Sequence, residues 1–249
     1  MHCFFLRFGN PARAAYSMYV FPPQKGGNVN RTKAIVLAVL IALALSVPAF
    51  ADSVLYTQPF DQLGVGYASQ DDVGGAGVFA QVYDNFTLSA DANINEIQLT
   101  GLYFNPPQQG AIQSWNVQYY ADNNGQPGTL IATKNINNNG NETFLGMFNG
   151  APVYTYDLPG LGFMAMGGTK YWLSVYPDMP FPPQWGWASG TGGDGIAWQD
   201  FEGVRSQLPA DMAFTLIGPA TPGVPEPGTL VMLGTGVLGL AGALRRKLF

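Results

Sequence analysis

Trp115-Asn116-Val117-Gln118-Tyr119-Tyr120-Ala121-Asp122-Asn123-Asn124-Gly125-Gln126-Pro127-Gly128-Thr129-Leu130 is the stretch whose reading decides the fold. In its first half Trp115, Val117 and Tyr119 alternate with Asn116, Gln118 and Tyr120. A strand here turns apolar rings to one face and polar groups to the other, because successive side chains of an extended chain point in opposite directions. The second half collects residues that reverse a chain. Asp and Asn bond their own backbone, Gly accepts positive φ, and Pro presets φ. Strand, tight turn and return strand make a β-hairpin, and the period is 2 rather than the 3.6 of a helix.

The same grammar extends outward. Residues 78–88, 94–104, 129–136, 153–158, 170–176, 184–188 and 212–217 read as further strands; in the fifth of these Tyr171, Leu173 and Val175 alternate with Trp172, Ser174 and Tyr176. Turn clusters separate them at Asn137-Asn138-Asn139-Gly140, Asn149-Gly150 and the Gly-rich run 190–195. No long period-3.6 segment and no internal repeat lies between the two ends. Charged residues make up only 11%, against 32 Gly, 19 Pro and 13% aromatics, which suits a turn-rich all-β protein. The pattern predicts about eight to twelve short strands in a single all-β domain, a jelly-roll-like β-sandwich over residues 52–218.

Charge divides the chain. From Asp52 to Glu226 only Lys134, Lys170 and Arg205 stand against all 16 acidic residues, a net of −13. Such a body repels phosphate backbones, so nucleic acid is excluded as a partner. Basic residues gather at the ends. Arg31-Thr32-Lys33 precedes the apolar run 34–45 (AIVLAVLIALAL), then Pro48 and Ala49-Phe50-Ala51. This is the order of an export signal: basic region, short apolar helix, small-x-small cleavage site. Residues 31–51 are therefore expected to be a signal peptide, with Ala49 and Ala51 marking the cut before Asp52. Residues 1–30 do not fit a leader and are expected to be a gene-model extension, with the true start near Val29.

At the other end, residues 219–227 form a stiff Pro-rich linker closing on Val224-Pro225-Glu226-Pro227. The uncharged, mostly apolar residues 228–244 follow, 17 in all, against the ~17–25 that a spanning helix uses. Arg245, Arg246 and Lys247 come next, and residues 228–249 are expected to be a transmembrane sorting helix with a basic tail that stays cytoplasmic. Thr235, Gly239 and Ala243 recur every fourth position, where small residues let another helix approach.

Pro-Glu-Pro, a Gly-rich apolar helix and an Arg-Arg-Lys cluster, in that order, resemble the PEP-CTERM sorting tail of Gram-negative exopolysaccharide producers. Such tails also go under the label "ice-binding protein C-terminal domain", which names the tail and not an ice-binding surface. The resemblance implies recognition by exosortase, a membrane protease-transpeptidase, with cleavage near Pro-Glu-Pro. It implies a precursor anchored in the inner membrane, then delivery to the envelope surface or extracellular matrix, as in biofilms. The segment 115–130 separately resembles a strand-to-hairpin phrase of exported bacterial sandwich domains, Asp-x-x-Gly-x-Pro-Gly; it carries no activity with it.

The single His (His2) and single Cys (Cys3) precede the expected cleavage site. The mature body thus has no Ser-His-Asp triad, no Cys-His pair, no usual zinc site and no disulfide. No cofactor is implied, and the body is expected to be no enzyme. The expected role is structural or adhesive, with exopolysaccharide as a binding partner. Trp185, Trp187, Trp198 and Asp200 are the candidate carbohydrate-binding residues, since sugar rings stack on aromatics and bond to carboxylates and amides. Their alternative is core packing, the usual fate of large aromatics. A rival class is a glycan hydrolase built on carboxylates alone, with Asp194, Asp200 and Glu202 as candidates. Asp122 and Asn124 are candidate calcium ligands, although no Glu closes that loop and a plain turn explains them. Ice binding is a third alternative; it wants flat, regularly spaced Thr arrays, and none runs along any strand.

Overall fold

The computed structural model describes residues 52–75, 77–219 and 236. All belong to the compact unit Phe50–Phe249. The expected leader lies outside the described residues, as do the Pro-rich linker except Pro219 and the expected sorting helix except Gly236; among the described residues no helix is long and apolar enough to cross a membrane.

Residues 52–219 are all-β, with fifteen strands where the sequence suggested eight to twelve. In chain order these are β1 Asp52–Gln58, β2 Gly66–Ala68, β3 Gln70–Asp72, β4 Gly77–Thr87, β5 Ala92–Phe104, β6 Ser114–Asp122, β7 Pro127–Ile136 and β8 Thr143–Phe148. There follow β9 Ala151–Ala165, β10 Lys170–Met179, β11 Gln184–Gly190, β12 Ala197–Phe201, β13 Val204–Leu208, β14 Asp211–Met212 and β15 Phe214–Pro219. The surplus comes from strands of two or three residues, β2, β3 and β14, which are too short to show a period.

Two sheets result. The first has eight strands along the path β1-β15-β5-β11-β14, with β9 on the other edge of β5, β8 beyond β9, and β2 on β11. The second has seven, in the order β13-β12-β4-β3-β10-β6-β7, with β4 also pairing directly with β10. Most pairings are antiparallel; β10 with β3 is parallel. The 115–130 stretch forms the β6–β7 hairpin as read. Asn149-Gly150 turns β8 into β9 with φ of 48° and 82°, the positive pair that a two-residue hairpin loop needs.

The inner faces of both sheets contribute to one apolar core, the arrangement of a β-sandwich. Trp115, Val117 and Tyr119 of β6 face it from the seven-stranded side, as the alternation predicts. Across the gap the Trp115 ring packs edge-on against Trp185 of β11 at 5.2 Å and against Tyr156 of β9 at 4.8 Å. Tyr119 stacks flat on Phe163, centroids 3.8 Å apart. Two of these rings have their polar ends tied within the sandwich: Trp185 Nε1 donates to Tyr156 Oη (3.1 Å), which donates to Glu142 Oε1 (2.9 Å). A smaller cluster of Leu102, Val153, Ala188 and Ala213, with Phe60, Phe104, Phe148 and Ala151 against it, lies apart from the main core.

Gly101 of β5 makes room for this arrangement. A Cβ there would meet the Trp185 ring, whose Cε2 and Nε1 lie 2.5 and 2.7 Å from the position. Gly101→Val should therefore destabilise the fold by about 1–3 kcal/mol, the usual cost of overpacking; a denaturant midpoint equal to wild type would show that the indole can retreat without loss. Tyr119 has the opposite expectation. Its hydroxyl is buried without a hydrogen-bond partner, so Tyr119→Phe should raise stability by about 1 kcal/mol in the same measurement.

Candidate functional site

Trp185 and Trp187, read from sequence as candidate sugar-stacking rings, are wholly buried, each 0% exposed. Their Trp-Gly-Trp spacing does put both on one face of β11, but that face is the core. Trp187 Nε1 is spent on Ala213 O (3.0 Å). Neither ring can meet a ligand without unfolding the sandwich, so that part of the expected site is corrected.

Trp198 and Asp200 are brought together on β12, whose Ala197 turns inward. Asp200 receives Arg205 Nε and Nη2 of the neighbouring β13, both at 2.7 Å, and the Tyr83 hydroxyl at 2.9 Å. The guanidinium also sits 5.2 Å from the Tyr83 ring centroid. Arg205 Nη1 reaches Pro127 O (3.1 Å), and Trp198 Nε1 reaches Gly125 O (3.1 Å). These bonds hold the tip of the β6–β7 hairpin against the seven-stranded sheet. From below, Trp172 Nε1 donates to Asp122 Oδ1 (2.8 Å), while Gly125 N lies 3.2 Å from both Asp122 oxygens. Asn124 takes the positive φ of the turn, 54°. The calcium-loop candidates Asp122 and Asn124 thus serve as turn and clamp. Among the described residues no group of three or more His, Cys, Asp or Glu is placed to hold a metal.

The carboxylates divide by environment. Arg205 holds the Asp200 carboxyl below the usual range against the opposing effect of burial. Burial opposes ionisation of Asp194 too, yet Asn85, Lys170 and the Ile196 N–H outweigh it and keep that carboxyl low. Lys170 Nζ lies 2.9 Å from Asp194 Oδ2. Glu202 occupies the β12–β13 turn at φ 47°.

Sequence reasoning missed Asp84, which lies buried on β4. Burial pushes its carboxyl well up, against the pull of the Met212 and Asn85 N–H groups. Those two donate to it at 2.6 Å each. Oriented so that both ends of its amide find partners, Gln58 adds a third bond to Asp84 at 2.7 Å and accepts from Tyr56 Oη at 2.8 Å. Asp211 nearby takes the N–H groups of Gly193 (2.9 Å) and Gly195 (2.7 Å), which pins the Gly-rich loop. Asp71 is also raised, by burial and by the Asp178 and Asp72 charges. Its pairing neighbour Asp178 has both oxygens taken, by Ser114 and by Asn116.

A concave polar site lies on the eight-stranded sheet instead. A cavity of about 280 Å³ is lined by residues of β5, β9 and β15 and by the chain leaving β1. Register builds it. Thr215, Gln98 and Asp157 stand side by side on β15, β5 and β9, and Thr100 stands beside Thr155 in the neighbouring row. Phe60 and Pro59 add an apolar side. Thr57 and Thr215 share a hydroxyl bond of 2.8 Å at the margin. These threonines come from four distant segments, which is why no array shows along any one strand; the surface they make is a groove and not a plane.

Comparison with known proteins adds one finding about the rest of the chain. The family model described as the PEP-CTERM protein-sorting motif matches residues 223–247. That span contains the expected sorting residues Val224, Pro225, Glu226, Pro227, Arg245, Arg246 and Lys247, all outside the described residues. No curated protein and no solved structure matches the chain. The chain thus carries the PEP-CTERM protein-sorting motif, the signal that implies export, a membrane-anchored precursor and processing by exosortase.

Proposed function

We propose that this chain is an envelope or extracellular-matrix protein, delivered by exosortase-dependent sorting, whose folded body binds and does not catalyse, with exopolysaccharide as its partner. The observation that carries the reading is the sorting motif at residues 223–247. Motif and body are mutually consistent: a sandwich whose described core needs no disulfide and whose sequence segment 52–226 carries −13 is suited to stay folded and soluble outside the cytoplasm.

Carboxylate chemistry argues for binding over hydrolysis. A glycosidase needs a protonated acid beside an ionised partner, both reachable by substrate. Asp194 is held ionised by Asn85 and Lys170, and Asp200 by Arg205. Asp84 is raised but buried, with its oxygens filled. Asp71 is raised but faces an Asp178 whose oxygens are already bonded.

Cell fractionation tests the sorting. The full chain should reach the envelope surface or matrix, whereas a chain lacking residues 224–249 should be exported without membrane retention. Intact full-length chain dissolved in the cytosol would end the proposal. Incubation with exopolysaccharide from the producing cells separates the roles: retention without new reducing ends is expected, and new reducing ends would favour the hydrolase. The Asp200–Arg205 pair gives a pH test. A carboxyl whose folded pKa is depressed contributes stability above the ordinary Asp value of about 3.9, and that contribution is lost as pH falls through the depressed value. Wild type should exceed Arg205→Met in stability at neutral pH, and the gap should narrow as pH drops below about 4. A gap unchanged by acid would show that Asp200 is not held by Arg205.

A further inference from the structure

We propose that the groove across β15, β5 and β9 is a subsite for one pyranose unit of a neutral polysaccharide. The inference rests on the binding role proposed above and assigns it a place. Four observations converge. The first is an available acceptor: among the described residues no hydrogen bond or ion pair engages the Asp157 carboxylate. It stands in register with Gln98, which stands in register with Thr215. A carboxylate with two free oxygens accepts from two vicinal hydroxyls at once, the pairing that distinguishes a sugar from most metabolites.

The second is the mixed character of the neighbours. Gln98 presents an amide whose nitrogen also donates to Glu96 Oε1 (3.1 Å), and Thr100 and Thr155 present hydroxyls that both donate and accept, that of Thr155 lying 3.5 Å from Thr143 O. A ring bearing hydroxyls around its edge needs both kinds of partner. The third is the apolar wall. Phe60 packs edge-on against Phe148, centroids 5.1 Å apart and planes at 85°, and both pack on the small apolar cluster around Leu102 and Ala213. The wall is thus braced before any ligand arrives, and the C–H face of a pyranose can lie on it. The fourth is charge and size. Among the described residues no Lys or Arg lines the cavity, and the sequence segment 52–226 is strongly acidic, so uronate or sulfated chains are repelled. Its volume of about 280 Å³ is near the low end of the ~300–1,000 Å³ of small-molecule sites, room for a sugar unit and not for a large planar ligand.

The test uses the full chain purified in a non-sugar detergent. The probe is exopolysaccharide extracted from the producing cells, split by anion exchange into neutral and acidic fractions. Wild type should bind the neutral fraction. Asp157→Ala and Thr100→Val should each weaken that binding by about ten- to a hundred-fold, the scale for losing a charged hydrogen-bond partner or stranding a buried one. Thermal unfolding of each variant should match wild type, since among the described residues no hydrogen bond or ion pair engages the Asp157 carboxylate and Thr100→Val keeps the β-branched shape. Trp198→Ala tests the rival candidate on the other sheet. Neutral binding that survives both groove variants, or is lost only with Trp198, overturns the subsite while leaving the polysaccharide role intact. Binding confined to the acidic fraction also overturns it. Binding to neither fraction overturns the polysaccharide role and the subsite together.

Discussion

The sandwich depends on how closely two indoles and a phenol can approach across the gap between its sheets. Trp115 rises from the seven-stranded sheet to meet Trp185 and Tyr156 of the other, and Gly101, having no side chain, leaves Trp185 somewhere to lie. Rings of this size bury much apolar area for few rotatable bonds, so they stabilise the fold at a modest cost in side-chain entropy. The same contact decides what the rings cannot do: side chains fixed in the middle of the molecule are lost as a recognition surface. Function must then be sought on the outward residues of the same strands.

Several polar groups near that core are satisfied locally, although Trp115 Nε1 and the Tyr119 hydroxyl are buried without a partner. Glu142 ties Tyr156, Asp84 collects two backbone N–H groups and the Gln58 amide, and Asp211 fixes a glycine-rich loop. Each of these carboxylates substitutes for a water shell that burial has removed. A protein with few charges thereby spends several of its acids on architecture, and the cations Lys170 and Arg205 are consumed in the same way. Among the described residues Asp157 shares with Asp52, Asp71 and Glu202 a carboxylate that no hydrogen bond or ion pair engages, and of these four it is the one that lines the groove.

The sequence alone made much of the fold legible. The alternation of Trp115, Val117 and Tyr119 with their polar neighbours named the inner face of β6, and Asn149-Gly150 marked a hairpin. Where reading stopped, the cause was physical. A two-residue strand such as Asp211–Met212 contains no period. The spacing of Trp185 and Trp187 put them on one face, but the direction of that face follows from a vacancy at Gly101, which is distant in the chain. The groove was out of reach for the same reason. Its floor exists only after Thr215, Gln98 and Asp157 have been brought abreast by pairing among three strands. The sorting motif was legible because it is written in contiguous residues, where order along the chain is itself the signal.

The pairing of β1 with β15, Asp52 opposite Pro219, bears on the timing of assembly. The first strand of the sandwich has as its partner the last strand to emerge. During passage through a translocation channel, which delivers a chain from its N-terminus, β1 must wait unpaired until almost the whole body has crossed, and closure of so non-local a contact is slow. The sheet therefore cannot be completed before β15 has crossed, and β15 ends at Pro219, just ahead of the sorting motif that begins at residue 223.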